Sequence, residues 1–218
     1  MTFSEESFRD AFLGRLARTS ARVDDEQLQQ LARYYSLLRR WNRAINLTAL
    51  PVDGYDDRAL DRLLIEPVVA AAAVSSDRIH WSDLGSGGGS PAIPLKIMRP
   101  AATLTMVESR SRKVAFLREV ARELTLQQVI ARDERIEALG ERDEVAGSMD
   151  LVTVRAVRPE VQLFDVCHRL LRAEGRLLMF QSVEGGADSR GDISTFDLIE
   201  IIPLIPGGSS TLAIYRPR

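Results

Sequence analysis

The chain has 218 residues and a formal net charge of −2, which suits one sizeable domain with a short extension and not two full domains. Hydrophobic residues make up 45% and charged residues 28%, an ordinary soluble composition that excludes a uniformly basic nucleic-acid binder while leaving room for a local basic face. The single cysteine, Cys167, excludes an internal disulfide framework and a cysteine-rich zinc site and fits a reducing cytosol.

The first residues, Met1-Thr-Phe-Ser-Glu-Glu-Ser7, carry early acids and no apolar run behind basic residues, so no signal peptide is expected. Ser4, with Glu6 and Ser7, offers a helix start, and Phe8, Phe12 and Leu16 recur at helical spacing. A second helix opens at Asp24 or Asp25 and places Leu28, Leu31, Tyr34, Tyr35, Leu38 and Trp41 on one face. Pro51 and Gly54 mark a loop. A third helix is expected from about Asp57 to Val74, kinked or divided at Pro67. Its apolar stretch Val68–Val74 is too short to span a bilayer.

From Arg78 onward short apolar strands alternate with helices. The strands read as Ile79–Leu84, Thr103–Glu108, Gln128–Ala131, Asp150–Val154, Gly175–Gln181, Asp197–Ile202 and Thr211–Tyr215. The helices read as Ala92–Met98, Ser111–Leu124 and Pro159–Leu171, with a short piece at Ile136–Leu139. This alternation predicts an α/β, doubly wound, Rossmann-like fold on a mainly parallel sheet. The connection Pro203–Ser210 is too short for a helical crossover, so the last two of the seven strands should pair antiparallel. Residues 1–76 then form an N-terminal helical extension and residues 77–218 the main domain.

The first strand of the sheet ends in Asp83-Leu-Gly-Ser-Gly-Gly-Gly-Ser90. Glycines at 85, 87 and 89 let the backbone turn sharply and approach a ligand closely, at the strand end where open α/β sheets bind ligands. A nicotinamide dinucleotide site would want its third glycine at position 90, which is Ser90. The acid opening the loop, Asp83, favours S-adenosylmethionine. Glu108, ending the next strand, suits the ribose hydroxyls in either class.

Cys167 sits inside a helix, which argues against a covalent cysteine. No Asn-Pro-Pro-Tyr or Asp-Pro-Pro-Tyr run follows the Asp150–Val154 strand, which disfavours methylation of an exocyclic amine. His80 and His168 lack a metal-ligand or general-base context. A nucleophile needing no base, such as guanine N7, is compatible with this inventory, catalysis then being positioning and electrostatics.

Tyr34-Tyr-x-Leu-Leu-x-x-Trp41-Asn42-x-x-Ile45-Asn46-Leu47-Thr48-Ala49 resembles the N-terminal signature of the bacterial ribosomal small-subunit RNA methyltransferase G family, also called glucose-inhibited division protein B. The cofactor loop continuing as Ser90-Pro91-x-Ile93-Pro94-Leu95, the run Glu108-Ser109-x-x-Arg112-Lys113-Val-Ala-Phe116-Leu117, Arg155-Ala156 and Leu170-Leu-x-x-x-Gly175-Arg176-Leu177-Leu178 are similar to further segments of that family. The resemblance implies methylation of N7 of a guanine in 16S rRNA, with the small ribosomal subunit as partner and S-adenosyl-L-methionine as cofactor. By position it implies cofactor contacts from Gly85, Ser90, Glu108, Ile136, Glu137 and Arg155, the last also placed between cofactor and target, and the loop itself adds Asp83, Gly87 and Gly89 to the expected cofactor residues. Asn42, Asn46, Arg112 and Lys113 are candidate RNA contacts. Asn42, Asn46 and Thr48 serve equally well as caps that stitch a helix end to its loop, and Trp41 reads as core. A cytoplasmic monomer without a metal is expected.

The sequence departs from the family at three places. Leu63 and Pro67 stand where it has a histidine and a serine, Ser90 where it has Phe or Leu, and Gln181 where it has a lysine. A relative acting on a small molecule and a non-catalytic RNA- or ribosome-binding module therefore remain as alternatives.

Overall fold

Three helices of the N-terminal third, those starting at Glu5, Asp25 and Asp57, are held at their starts by a side chain that the preceding residue supplies. The computed structural model describes residues 3–75, 77–155, 161–182 and 194–218. Helix α1, Glu5–Leu16, is N-capped by Ser4, whose side chain accepts from the Ser7 amide, and it buries Phe8, Phe12 and Leu16. Helix α2, Asp25–Asn42, opens on a capping box. Asp24 Oδ1 accepts from the Gln27 amide at 2.8 Å, and Gln27 Oε1 accepts from the Asp24 amide at 3.0 Å. Its buried face holds Leu28, Leu31, Tyr34, Tyr35 and Leu38.

The stretch expected as one kinked helix is a continuous helical run that changes pitch. Helix α3, Asp57–Leu60, passes into a π-helical turn, Asp61–Ile65, then into α4, Glu66–Ala70, and ends in a 3₁₀ turn, Ala71–Ala73. Pro67 lies in the first turn of α4. Proline has no amide to donate, and its ring crowds the carbonyl four residues back. The wider π turn just before it makes room. Arg62 and Glu66 lie one on each side of this junction.

Strands β1 (His80–Leu84), β2 (Thr103–Glu108), β3 (Val129–Asp133), β4 (Met149–Arg155), β5 (Leu171–Ser182), β6 (Phe196–Pro203) and β7 (Ser210–Pro217) form one sheet in the order β3-β2-β1-β4-β5-β7-β6. The pairs among β1 to β5 are parallel, and β7 runs antiparallel to both of its neighbours, as the short 203–210 connection requires. Between the strands lie α5 (Ala92–Met98), α6 (Ser111–Glu123), α7 (Ile136–Gly140) and α8 (Val161–Leu170). The expected helix start at Pro159 and the family-like Ala156 lie outside the described residues.

The expected and observed elements differ most at β5, which begins at Leu171 and not at Gly175. Leu171 pairs with Met149, but the next pair is Arg176 with Leu151. The register shifts between these pairs, and the packing is tight enough that a Cβ on Gly175 would lie 3.1 Å from the Met149 carbonyl oxygen. A sequence pattern of alternating apolar residues does not register such an offset.

One apolar cluster joins Phe8, Tyr34, Leu60 and Leu64 to Trp81, Leu104, Ile93 and Phe116. A second, under α7 and α8, holds Val107, Val152, Leu163, Phe164, Leu177 and Tyr215. The first cluster crosses the sequence boundary at residues 76–77, so the N-terminal helices share the core beside α5 and α6. Phe116 is fully buried there and packs on Trp41, with ring centroids 5.8 Å apart. Phe116→Ala should cost about 3–5 kcal/mol in urea unfolding. A loss below about 1 kcal/mol would show that α2 and α6 are not held by this contact.

Candidate functional site

Strand order reverses between β1 and β4, and the loops leaving their carboxyl ends part to leave a crevice. On one side stands the glycine loop. Gly85, Gly87 and Gly89 have φ of 73°, 53° and 87°, left-handed values that favour glycine. The Gly85 and Ser86 amides both donate to the Val107 carbonyl, at 2.9 and 3.0 Å, and the Gly89 amide donates to the Ser86 carbonyl at 2.7 Å. The Gly87 amide donates to Glu108 Oε2 at 3.0 Å, while Glu108 Oε1 accepts from the Arg110 amide at 2.9 Å. The carboxylate ending β2 therefore binds the loop to the neighbouring strand and keeps lone pairs to spare, since two oxygens offer about four acceptor sites.

The resulting cleft has a volume of about 650 Å³ and is walled by Gly85, Gly87, Glu108, Ile136, Glu137 and Arg155, within the range of small-molecule sites. Leu47, Thr48 and Leu50 also line it, on a loop fastened by Asn42, whose Oδ1 accepts from the Leu47 and Thr48 amides at 2.8 and 3.0 Å.

Most of the expected residues meet here: Gly85, Gly87, Ser90, Glu108, Lys113, Ile136, Glu137 and Arg155 all line the cleft. Others stand behind or beside it. Gly89 faces inward, where a Cβ would lie 2.9 Å from Ile93 Cγ1 and 3.4 Å from Tyr34 Cε2, so its bareness serves helix packing. Asp83 is buried beneath the loop. Asn42 is the loop fastener just described, and Asn46 and Arg112 are exposed. Sequence reasoning missed Ser86, Gly88, Arg62, Glu134 and Arg135 among the lining residues. It also missed Glu66, although the Arg62–Pro67 segment had stood out by its divergence.

Glu66 is 1% exposed, and its Oε2 pairs with Arg155, itself 8% exposed, and with Arg62 at 3.2 Å. Arg155 also donates to the Arg62 carbonyl and to Ser90 Oγ, the latter at 3.1 Å. Its guanidinium lies 4.4 Å over the Phe180 ring, Phe180 being its register partner on β5. Arg62 continues to Ser210 Oγ at 2.9 Å. Burial lowers the Arg155 pKa to about 10 against the opposing pull of Glu66. One nitrogen, Arg155 Nε, is buried with no hydrogen-bond partner among the described residues.

Beneath the loop, Trp81 Nε1 donates to Thr153 Oγ1 at 2.9 Å, and Thr153 donates to Asp83 Oδ1. Asp83 Oδ2 is buried without a partner among the described residues. Burial raises the Asp83 pKa to about 6, with the Ser86 and Thr153 hydrogen bonds and Arg155 pulling the other way.

The reversal of strand order, the glycine loop after β1 and the single antiparallel β7 define the Rossmann-like fold of S-adenosylmethionine-dependent methyltransferases. Solved structures share that fold. A putative methyltransferase, yhhF from Escherichia coli, superposes with a TM-score of 0.57 at 15% identity, covering 78% of this chain and 91% of that one. A SAM-dependent methyltransferase from Aquifex aeolicus does so with a TM-score of 0.55 at 11% identity, covering 74% and 93%. The chain belongs to the rRNA small subunit methyltransferase G family, whose profile matches residues 27–190. Among relatives named ribosomal RNA small subunit methyltransferase G, that of Roseiflexus sp. (strain RS-1) is 34% identical over 78% of this chain and 71% of its own length. That of Xanthomonas axonopodis pv. citri (strain 306) is 35% identical over 85% of each.

Glu66→Gln should lower unfolding free energy by about 3–5 kcal/mol, because two guanidiniums then share no carboxylate. A loss under about 1 kcal/mol would show the pair to be dispensable. Asp83 should tilt the pH profile. Its folded pKa of about 6 lies above the ordinary 3.8, so the folded state holds the proton more tightly. That contribution is full below pH 3.8 and is lost as pH rises through about 6. Relative to Asp83→Asn, the natural chain should therefore lose on the order of 2–3 kcal/mol across this window, and parallel profiles would contradict it.

Proposed function

We propose that this chain transfers the methyl group of S-adenosyl-L-methionine to N7 of a guanine in 16S rRNA. The observation that carries the reading is the cleft at the strand reversal, in a chain of the rRNA small subunit methyltransferase G family. The residues present fit such a cofactor. A Cβ on Gly87 would meet nothing closer than the Gly85 carbonyl oxygen at 3.7 Å, which leaves that face of the loop open to a ligand. Glu108 keeps lone pairs for ribose hydroxyls. Ile136 and Glu137 would hold the adenine, and Gly85 and Ser90 the methionine end.

When bound, the cofactor supplies an electrophilic methyl carbon on a sulfonium sulfur. The N7 lone pair of guanine lies in the ring plane and carries no proton. Methylation there would need no base from the protein, the sulfur of the cofactor being the leaving group that keeps the bonding pair. The work left to the protein is alignment. Arg155, fixed by Glu66, Ser90 and the Phe180 ring, holds the boundary between cofactor and target. Gln181 follows Phe180 on β5, so the expected lysine position lies next to the residue that underlies Arg155.

The cations on the β2–β3 rim suit RNA phosphates. Arg110, Lys113 and Arg135 line the cleft, and none of them, nor Arg112, forms an ion pair among the described residues. Nearby arginines on the N-terminal side are engaged, Arg40 with Glu119 and Arg43 with Asp53. A phosphate contact releases counterions. Replacing Arg110, Lys113 and Arg135 together by alanine should flatten the slope of log K for 16S rRNA against log salt by about 2–3, and an unchanged slope would remove this rim from the RNA interface.

The activity itself is tested by incubating undermethylated small subunits with protein and S-adenosylmethionine and mapping the RNA by mass. A 7-methylguanine gained in 16S rRNA is expected, and Arg155→Ala should lower its rate by about 100-fold or more. No methyl gained in that RNA overturns the assignment.

A further inference from the structure

The glycine loop is gripped from outside the cleft, by the N-terminal helix α2. The Tyr34 hydroxyl donates to the Gly88 carbonyl at 2.7 Å. Tyr34 is fully buried, and burial pushes its phenol far above the ordinary value, so the hydroxyl stays a donor at any working pH. No backbone amide among the described residues donates to that carbonyl. The other end of the same peptide unit, the Gly89 amide, donates to the Ser86 carbonyl at 2.7 Å. The Gly88–Gly89 peptide plane is thus fixed from both sides, by the loop on one and by α2 on the other.

The packing around this bond is shaped for it. A Cβ on Gly88 would meet Leu38 Cδ1 and the Leu47 carbonyl oxygen, both at 3.3 Å, and one on Gly89 would meet Tyr34 Cε2 at 3.4 Å. Bare glycines at 88 and 89 therefore let Tyr34, Leu38 and Leu47 seat directly on the loop. Glycine pairs have little intrinsic preference for one peptide orientation, so a loop of this composition needs an external constraint to present a single surface to a ligand. The neighbouring residue gives the contrast. Tyr35 lies on the same helix in the same core, yet its hydroxyl is buried without a hydrogen-bond partner among the described residues.

We propose that Tyr34 is a positioning residue: through its hydrogen bond to Gly88 it preorganises the glycine loop for the cofactor, so that the N-terminal helices complete the cofactor site. The inference rests on the cofactor reading above. Preorganisation raises affinity by removing an ordering cost otherwise met on binding. A tyrosine that merely filled the core would affect melting and leave affinity in the folded protein unchanged.

The experiment compares the natural chain with Tyr34→Phe and Tyr35→Phe, well below their melting temperatures, by S-adenosylmethionine titration and by amide exchange of the ligand-free proteins. Tyr34→Phe should raise Kd about tenfold, the worth of one hydrogen bond to an otherwise unsatisfied carbonyl. It should also accelerate exchange at Gly87–Gly89 about tenfold without a matching change in the β1 or β4 amides. Tyr35→Phe should change neither by more than about twofold. If Tyr34→Phe fails to fold, Gly88→Ala, which presses on Leu38 and Leu47 from the loop side, should show the same pair of effects. Tight cofactor binding with unchanged loop exchange in these variants overturns the positioning role. Failure of the natural chain to bind the cofactor overturns the cofactor reading, and the loop exchange then decides the clamp by itself.

Discussion

The site is assembled around one buried carboxylate. Glu66 sits just past the π turn of an N-terminal helix and accepts from Arg155 at the end of β4 and from Arg62 at the start of the same helical segment. Placing charges where water cannot reach is costly, and the cost is offset only when partners and hydrogen bonds are all in place. Here nearly all are: the Arg62 carbonyl, Ser90 and the Phe180 ring surround Arg155, and only its Nε has no partner among the described residues. An N-terminal helix, the glycine loop and two central strands must therefore assemble together. Such a network sets geometry more than it adds stability, and geometry is what an alignment-driven methyl transfer needs.

The glycine loop follows the same logic at smaller scale. Its glycines divide their tasks. Gly85, Gly87 and Gly88 line the cleft, whereas the missing side chains of Gly88 and Gly89 also let α2, α5 and α6 close on the loop. Glu108 and Tyr34 hold it from opposite sides, one with a carboxylate receiving backbone amides and the other with a hydroxyl given to a backbone carbonyl. The N-terminal helices, which in sequence look like an appendage, act as the outer wall of the site and share its core.

Charge is distributed along the same division. Many arginines pair with carboxylates across the surface, in a chain whose 31 acids and 29 bases leave the total near neutral. Beside the cleft, Arg110, Arg112, Lys113 and Arg135 form a group of cations with no ion pair among the described residues. A local field of this kind steers a polyanion toward one face without a basic overall composition.

Periodicity and turn chemistry in the sequence determined the helices, the parallel sheet, the reversed last strand and the glycine loop with Glu108 beside it, because each depends on residues near in the chain. The Trp41–Thr48 block and the segments after it pointed to the family for the same reason. Tertiary structure alone decided the rest. Glu66 and Arg155 are far apart in sequence, and nothing local marks Glu66 as the partner of Arg155. Asn42 offered two uses, and the fold engages it as a loop fastener. Asp83 and Gly89, taken for cofactor contacts by their place in a motif, lie behind the wall, because a motif specifies a backbone path and not which side of it faces the cleft. The offset start of β5 and the pitch change ahead of Pro67 arise from registry and crowding between elements. Burial, long-range pairing and the facing of a side chain belong to the packed chain, and a linear pattern carries them only where they repeat with the period of a helix or a strand.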